Sequence, residues 1–213
     1  MTRAMFLGLL SLLTATAQAH LDLTPTPTEY VAEGITFQRL IFKQTDKTSV
    51  SYEPPRGWTC RGGGDQLQLV PGEATRAQAS IQALPLATPQ GLDEKSEALL
   101  REQFLNSLPP GSQLIKLLKE ERNPVVLDNK LSYAVAVSYQ VIGETFVRST
   151  LFVNLTDTQL RFTINARQSD FEKLHQDFRR SIFSWHFIET SPPAARSEPA
   201  IATAPALQAP STN

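Results

Sequence analysis

The chain has 213 residues, with 20 Lys plus Arg against 21 Asp plus Glu and a single cysteine. Charge this balanced offers no clustered basic excess of the kind that marks a nucleic-acid binder. One cysteine excludes an intrachain disulfide, so an apolar core must hold the fold, and the length suits one ordinary domain.

Residues 1–19 read as an export signal. Arg3 supplies the positive start, MFLGLLSLLTATA the apolar stretch and Ala17-Gln18-Ala19 the small-residue cleavage site. The stretch is shorter than the roughly 20 residues of a spanning helix, so cleavage near Ala19 and an extracytoplasmic location, periplasmic or secreted, are expected. Residues 20–34, with two Thr-Pro pairs, read as a flexible leader. Residues 190–213, rich in Pro, Ala, Ser and Thr, read as a disordered tail.

Between them, residues 35–188 carry the folding pattern. ITFQRLIFKQ and SVSYEP predict a strand pair around TDKT, and DQLQLVP and AQASIQALPL alternate as half-buried strands. PPRGWTCRGGGDQLQL, between these pairs, holds Cys60 and the only run of three glycines. It leads into a strand without a P-loop lysine, so it predicts a corner and a turn rather than a phosphate cradle. In LDEKSEALLREQFLNSL, residues 92–108, Leu100, Phe104 and Leu108 recur four apart before Pro109-Pro110-Gly111, which predicts a helix.

Four strands follow, QLIKLLKEE, KLSYAVAVSYQVI, ETFVRSTLFVNL and QLRFTINAR. A closing helix then carries Phe171, Leu174, Phe178, Ile182 and Trp185 at helical spacing, with Ser169 or Asp170 as its cap. Two-residue turns at Gly143-Glu144 and Asp157-Thr158 would pair residues whose numbers sum to 287 and 315. Ala134, Ala136, Leu151, Val153, Phe162 and Ile164 then share the face under the closing helix, and the 92–108 helix covers part of the other face.

On that second face Tyr139, Arg148, Arg161, Asn165 and Arg167 gather at one end of the sheet, Tyr139 opposite Arg148 and Arg148 opposite Arg167. An exposed tyrosine among arginines is a composition favoured at interaction hot spots, and these five are the candidate partner-binding residues.

The opening hairpin, the Pro54-Pro55-Arg56-Gly57-Trp58 corner, the central helix, the meander and a closing helix ending SIFSWHF resemble the PsbP-like group. That group includes an extrinsic photosystem II protein, a Ran-binding import protein and envelope proteins of DcrB type. The resemblance implies an α+β fold, a three-layer α/β/α sandwich with a mostly antiparallel sheet, and mostly non-catalytic, partner-binding work.

No H-E-x-x-H, C-x-x-C or comparable spacing predicts a metal or cofactor site. Adjacent Asp93-Glu94 and Glu120-Glu121 point in different directions and read as solvated charge. Three functional classes follow. The first is a non-catalytic binding or accessory domain that docks an envelope protein. The second is a thiol-dependent or hydrolytic enzyme in which Cys60 meets His175 or a carboxylate. The third is an envelope component tethered by its tail.

Overall fold

A computed structural model describes residues 21–44, 48–72 and 76–189, so the expected signal peptide and tail lie outside the described residues. Two antiparallel sheets and two helices make up the fold. The elements run β1 (Asp22–Ala32), β2 (Ile35–Lys43), β3 (Thr48–Tyr52), β4 (Trp58–Gly63), β5 (Gln66–Pro71), β6 (Gln78–Pro85), α1 (Glu94–Asn106), β7 (Gln113–Arg122), β8 (Ser132–Val141), β9 (Glu144–Asn154), β10 (Thr158–Arg167), α2 (Gln168–Ile182) and β11 (His186–Glu189). The larger sheet has the order β4-β5-β6-β10-β9-β8-β7, and the smaller one the order β1-β2-β3-β11.

The fold corrects four expectations. Within the expected leader 20–34, the described segment 21–34 is not a free chain. It supplies β1, paired antiparallel with β2 from Asp22↔Lys43 to Ala32↔Ile35. β1 is an edge strand, which tolerates Pro25 and Pro27 because their missing N–H groups break no central ladder. Leu21 and Leu23, both fully buried, anchor its start. The closing helix ends at Ile182, and His186–Glu189 turns back as β11 onto β3. Its N-cap is Arg167, with no side-chain cap hydrogen bond. A single sheet between two helices is therefore not the whole architecture, because a second sheet shares the α2 side.

The glycine run forms a hairpin. Gly62 has φ +136°, and a Cβ there would collide with the Gln66 carbonyl oxygen. At the tip, Gly64 N–H donates to Asp22 Oδ1 (3.0 Å), and Leu23 N–H donates to the Gly64 carbonyl (2.7 Å). The hairpin thus clamps the start of β1. Trp58 turns inward and stacks on Phe178 of α2, ring centres 6.1 Å apart.

The strand alternation divides the larger sheet into two faces. Val147, Leu151, Val153, Phe162 and Ile164 face α2, whose Phe171, Leu174, Phe178 and Ile182 share one core with β1, β2 and β3. Trp185 joins these parts, 5.8 Å from the rings of Phe42 and Tyr52 and edge-on to Phe162 at 5.3 Å. The opposite face presents Tyr133, Val135, Val137, Tyr139 and Phe152 to Leu100 and Phe104 of α1. α1 begins in a capping box, Ser96 N–H donating to Asp93 Oδ1 and Asp93 N–H to Ser96 Oγ, both at 2.8 Å.

The meander register differs from the expected one by two residues in each hairpin. Tyr139 pairs with Phe146, and Gln159 with Asn154. An even slip leaves every side chain on its expected face but changes its neighbours.

Candidate functional site

Seven strands spaced about 4.8 Å apart span roughly 29 Å, whereas a helix is about 10 Å across. One helix therefore covers two or three strands of either face. On the α2 side the smaller sheet helps to cover the rest, with Leu21, Leu23, Phe42, Val50 and Tyr52 fully buried. On the α1 side, among the described residues, the half of the face formed by β5, β6, β10 and part of β9 stays open.

The open half is polar because of the phase of alternation on each strand. Gln82 lies beside Arg161, which lies beside Phe152. The next row is Gln68, Ser80, Thr163 and Thr150, and the next Gln78, Asn165 and Arg148. Together with Gln103 and Ser107 of α1 and its end, these residues line a groove of about 230 Å³. Among the described residues its lining contains two arginines and no carboxylate.

Arg148 reaches under the end of α1. Its Nη1 donates to the Ser107 carbonyl at 2.7 Å, while its Nε is buried and makes no hydrogen bond. A cation is favoured beside helix C-terminal carbonyls. Arg161 donates from Nε to Gln159 Oε1 (2.7 Å) and from Nη2 to Gln103 Oε1 (2.9 Å), and its guanidinium lies 5.5 Å from the Phe152 ring centre. Burial holds both guanidiniums below the ordinary arginine value. Both remain charged at neutral pH. Neither makes an ion pair with a carboxylate among the described residues.

The five sequence-chosen residues divide at this groove. Arg148, Arg161 and Asn165 line it. Tyr139 is not exposed: only 1% of its surface is accessible, because the two-residue slip places it against Phe146, whose ring stacks at 6.0 Å. Its O–H donates to Asn165 Oδ1 at 2.6 Å, which leaves the Asn165 amide nitrogen as that residue's donor to the groove. Burial raises the Tyr139 phenol above its ordinary value, with Arg148 opposing the shift. Arg167 is diverted from the groove. It holds Glu144 through Nη2 at 2.8 Å, and Arg76 holds the same carboxylate. These contacts, the hydrogen bond from Arg167 first, keep Glu144 below the usual carboxylate range.

Sequence reasoning missed the glutamines and threonines. The available signal was the polar phase of DQLQL and QASIQ, which places Gln66, Gln68, Gln78 and Gln82 on one face.

Cys60 lies elsewhere. It borders a wide cleft of about 1140 Å³ with Trp58, Arg61, Asp177 and Ser184, and among the described residues no histidine lines that cleft. His175 borders a different one. Burial pushes the Cys60 thiol up to about 11, so on the order of one molecule in ten thousand carries the thiolate at neutral pH. Cys60 and His175 line different clefts, whereas the carboxylates of Glu29, Glu53 and Asp177 line the Cys60 cleft. Among the described residues, no group of three or more His, Cys, Asp or Glu is placed to hold a metal ion, and no helix is long and apolar enough to cross a membrane.

The fold defines a mostly antiparallel α+β protein. No family model matches the chain. Dystrophin-related protein 2 of Mus musculus and that of Rattus norvegicus are each 34% identical over 92 residues, 41% of this chain. The match spans 9% of those curated relatives' length. Similar solved structures include cyanobacterial PsbP from Synechocystis sp. PCC 6803, with 14% identity and TM-score 0.47, covering 84% of this chain and 99% of that one. They also include PA94 of Pseudomonas aeruginosa, a protein of unknown function, with 14% identity and TM-score 0.39, covering 73% and 93%.

Proposed function

We propose that the protein is a non-catalytic binding domain of the cell envelope that docks a protein partner by seating an acidic segment in the groove between Arg148 and Arg161. The observation that carries this reading is the pair of partly buried guanidiniums in a lining that, among the described residues, has no carboxylate. Removing a cation from water without a counter-charge is costly, and an arriving carboxylate supplies charge-assisted hydrogen bonds. The glutamine and asparagine amides around the arginines add donors without adding charge. The family resemblance of the sequence, which implies mostly partner-binding work, points the same way. Export is the location that the signal-like first residues support.

The test is a titration of the full chain with hexaglutamate at low salt, followed through the Nε–H resonances of Arg148 and Arg161. We expect both to shift saturably, and Arg148→Met/Arg161→Met to abolish binding while keeping a cooperative thermal transition. Undiminished binding by that variant would remove the groove from consideration as the docking site.

A further inference from the structure

The opposite face of the same sheet carries a second, unrelated opening. α2 lies over β9 and β10, and beside it the sheet presents Ala134, Ala136 and Ser149, side chains too short to fill the space toward β7. The resulting cleft measures about 490 Å³, more than twice the polar groove. Small-molecule sites commonly occupy roughly 300–1,000 Å³ and combine apolar walls with a few placed polar groups. This cleft has that composition. Its floor is the three small residues and Leu151, and Phe171 and Phe178 form one wall.

The mouth decides the class of ligand. From β7 come Lys119 and Glu121, paired at 2.9 Å. From α2 come Glu172, which accepts from Gln176 Nε2 at 2.9 Å, and Arg179, whose Nη2 donates to the Pro124 carbonyl at 2.9 Å. Two cations and two carboxylates cancel, and each is already engaged. Among them His175 stacks on Phe171, ring centres 5.0 Å apart. Burial holds its imidazole below the ordinary value, so at neutral pH it is uncharged, with one nitrogen donating and the other accepting. Glu172 and Arg179 hold neutral partners, yet together with Lys119 and Glu121 the mouth sums to zero charge, so it offers a head of either sign no net attraction. A hydroxyl, which also donates and accepts, matches the imidazole.

We propose that this cleft binds a single-chain amphiphile with an uncharged, hydroxylated head, its aliphatic chain along Ala134, Ala136 and Ser149 and its head at His175. The site lies on the α2 face and is independent of the docking groove.

The experiment titrates the full chain with monodecanoylglycerol below its micelle threshold by calorimetry, with decanoate and decyltrimethylammonium as charged counterparts of the same chain length. The neutral amphiphile should bind saturably and show nuclear Overhauser contacts from its chain to the Ala134 and Ala136 methyls. Both charged counterparts should bind about tenfold more weakly or less, and filling the floor with Ala136→Leu should weaken binding by at least about tenfold. Because an overpacked variant can misfold, the wild-type methyl contacts serve as a second reading that needs no mutation. Absence of binding, or binding without those contacts, overturns the site. Equal binding of the charged counterparts overturns the assigned head chemistry.

Discussion

The two faces of the seven-stranded sheet are built from the same strands and have opposite characters. On β10, Leu160, Phe162, Ile164 and Ala166 are buried toward α2, while Arg161, Thr163, Asn165 and Arg167 are only partly buried on the other face. α2 is fixed into a core that includes both sheets and Trp185. α1 rests on a small separate cluster through Leu100 and Phe104. Polar ties add to this hold: Arg122 reaches Glu97 at 2.6 Å, and Arg148 and Arg161 reach the C-terminal part of the helix and its cap. Coverage, more than composition, makes a site. Each face has one helix and more sheet than a helix can cover, so each keeps an opening whose chemistry is that of the uncovered strand phase.

The largest expected effect separates the two helices. Phe178, 2% exposed and stacked on Trp58, lies inside the shared core, so Phe178→Ala should lower global stability by about 3–5 kcal/mol. Phe104→Ala should act locally, with α1 amides losing hydrogen-exchange protection while β4 to β6 keep theirs. Equal loss of protection throughout both variants would break the distinction between a fixed helix and a locally held one.

A smaller effect concerns the groove charges. Arg148→Met/Arg161→Met removes two partly buried cations and a contact to the end of α1, so its stability change should stay within about 1–2 kcal/mol of wild type. Chemical denaturation checks this. A loss several times larger would mean that these arginines serve the α1 attachment more than an incoming ligand.

The third effect depends on pH and belongs to the α2 face. The His175 pKa is depressed in the fold by burial, reinforced by Arg179 and Lys119 and opposed by Glu172 and Glu121. The unfolded chain therefore takes up the proton more readily. Stability from this group is complete above the ordinary histidine value near 6.5 and falls as pH drops through it toward the folded value. Melting scans at about pH 7.5 and 5.5 should show a larger drop for wild type than for His175→Phe. The smallest effect is Cys60→Ser, which should leave hexaglutamate binding unchanged. Thiol labelling of Cys60 at neutral pH should be slower than that of an exposed cysteine, since the raised pKa leaves little thiolate.

Much of the architecture was legible because alternation and helical spacing are local. The strands of the meander, both helices and the face assignment of Ala134, Leu151, Phe162 and Ile164 follow from side-chain period alone. The register was not legible, for an identifiable reason. The β8-β9 turn uses Ile142 and Gly143, with φ +51° and +75°, and a β-branched residue is an unlikely occupant of the left-handed region. A reader of the sequence therefore places the turn one residue later. That single choice moves Tyr139 from Phe146 to Arg148 and turns a buried hydrogen-bond donor into an expected surface anchor.

Which residues point to the same side follows from the sequence, because the periods of strand and helix allow few alternatives. Which of those residues remain open follows from the folded arrangement. Coverage depends on helices and strands far away in the chain: β1 folds back to shield one face, and α1 stops short of β5 and β6 on the other. A glutamine beside an arginine becomes the floor of a groove only when no distant element lies over it.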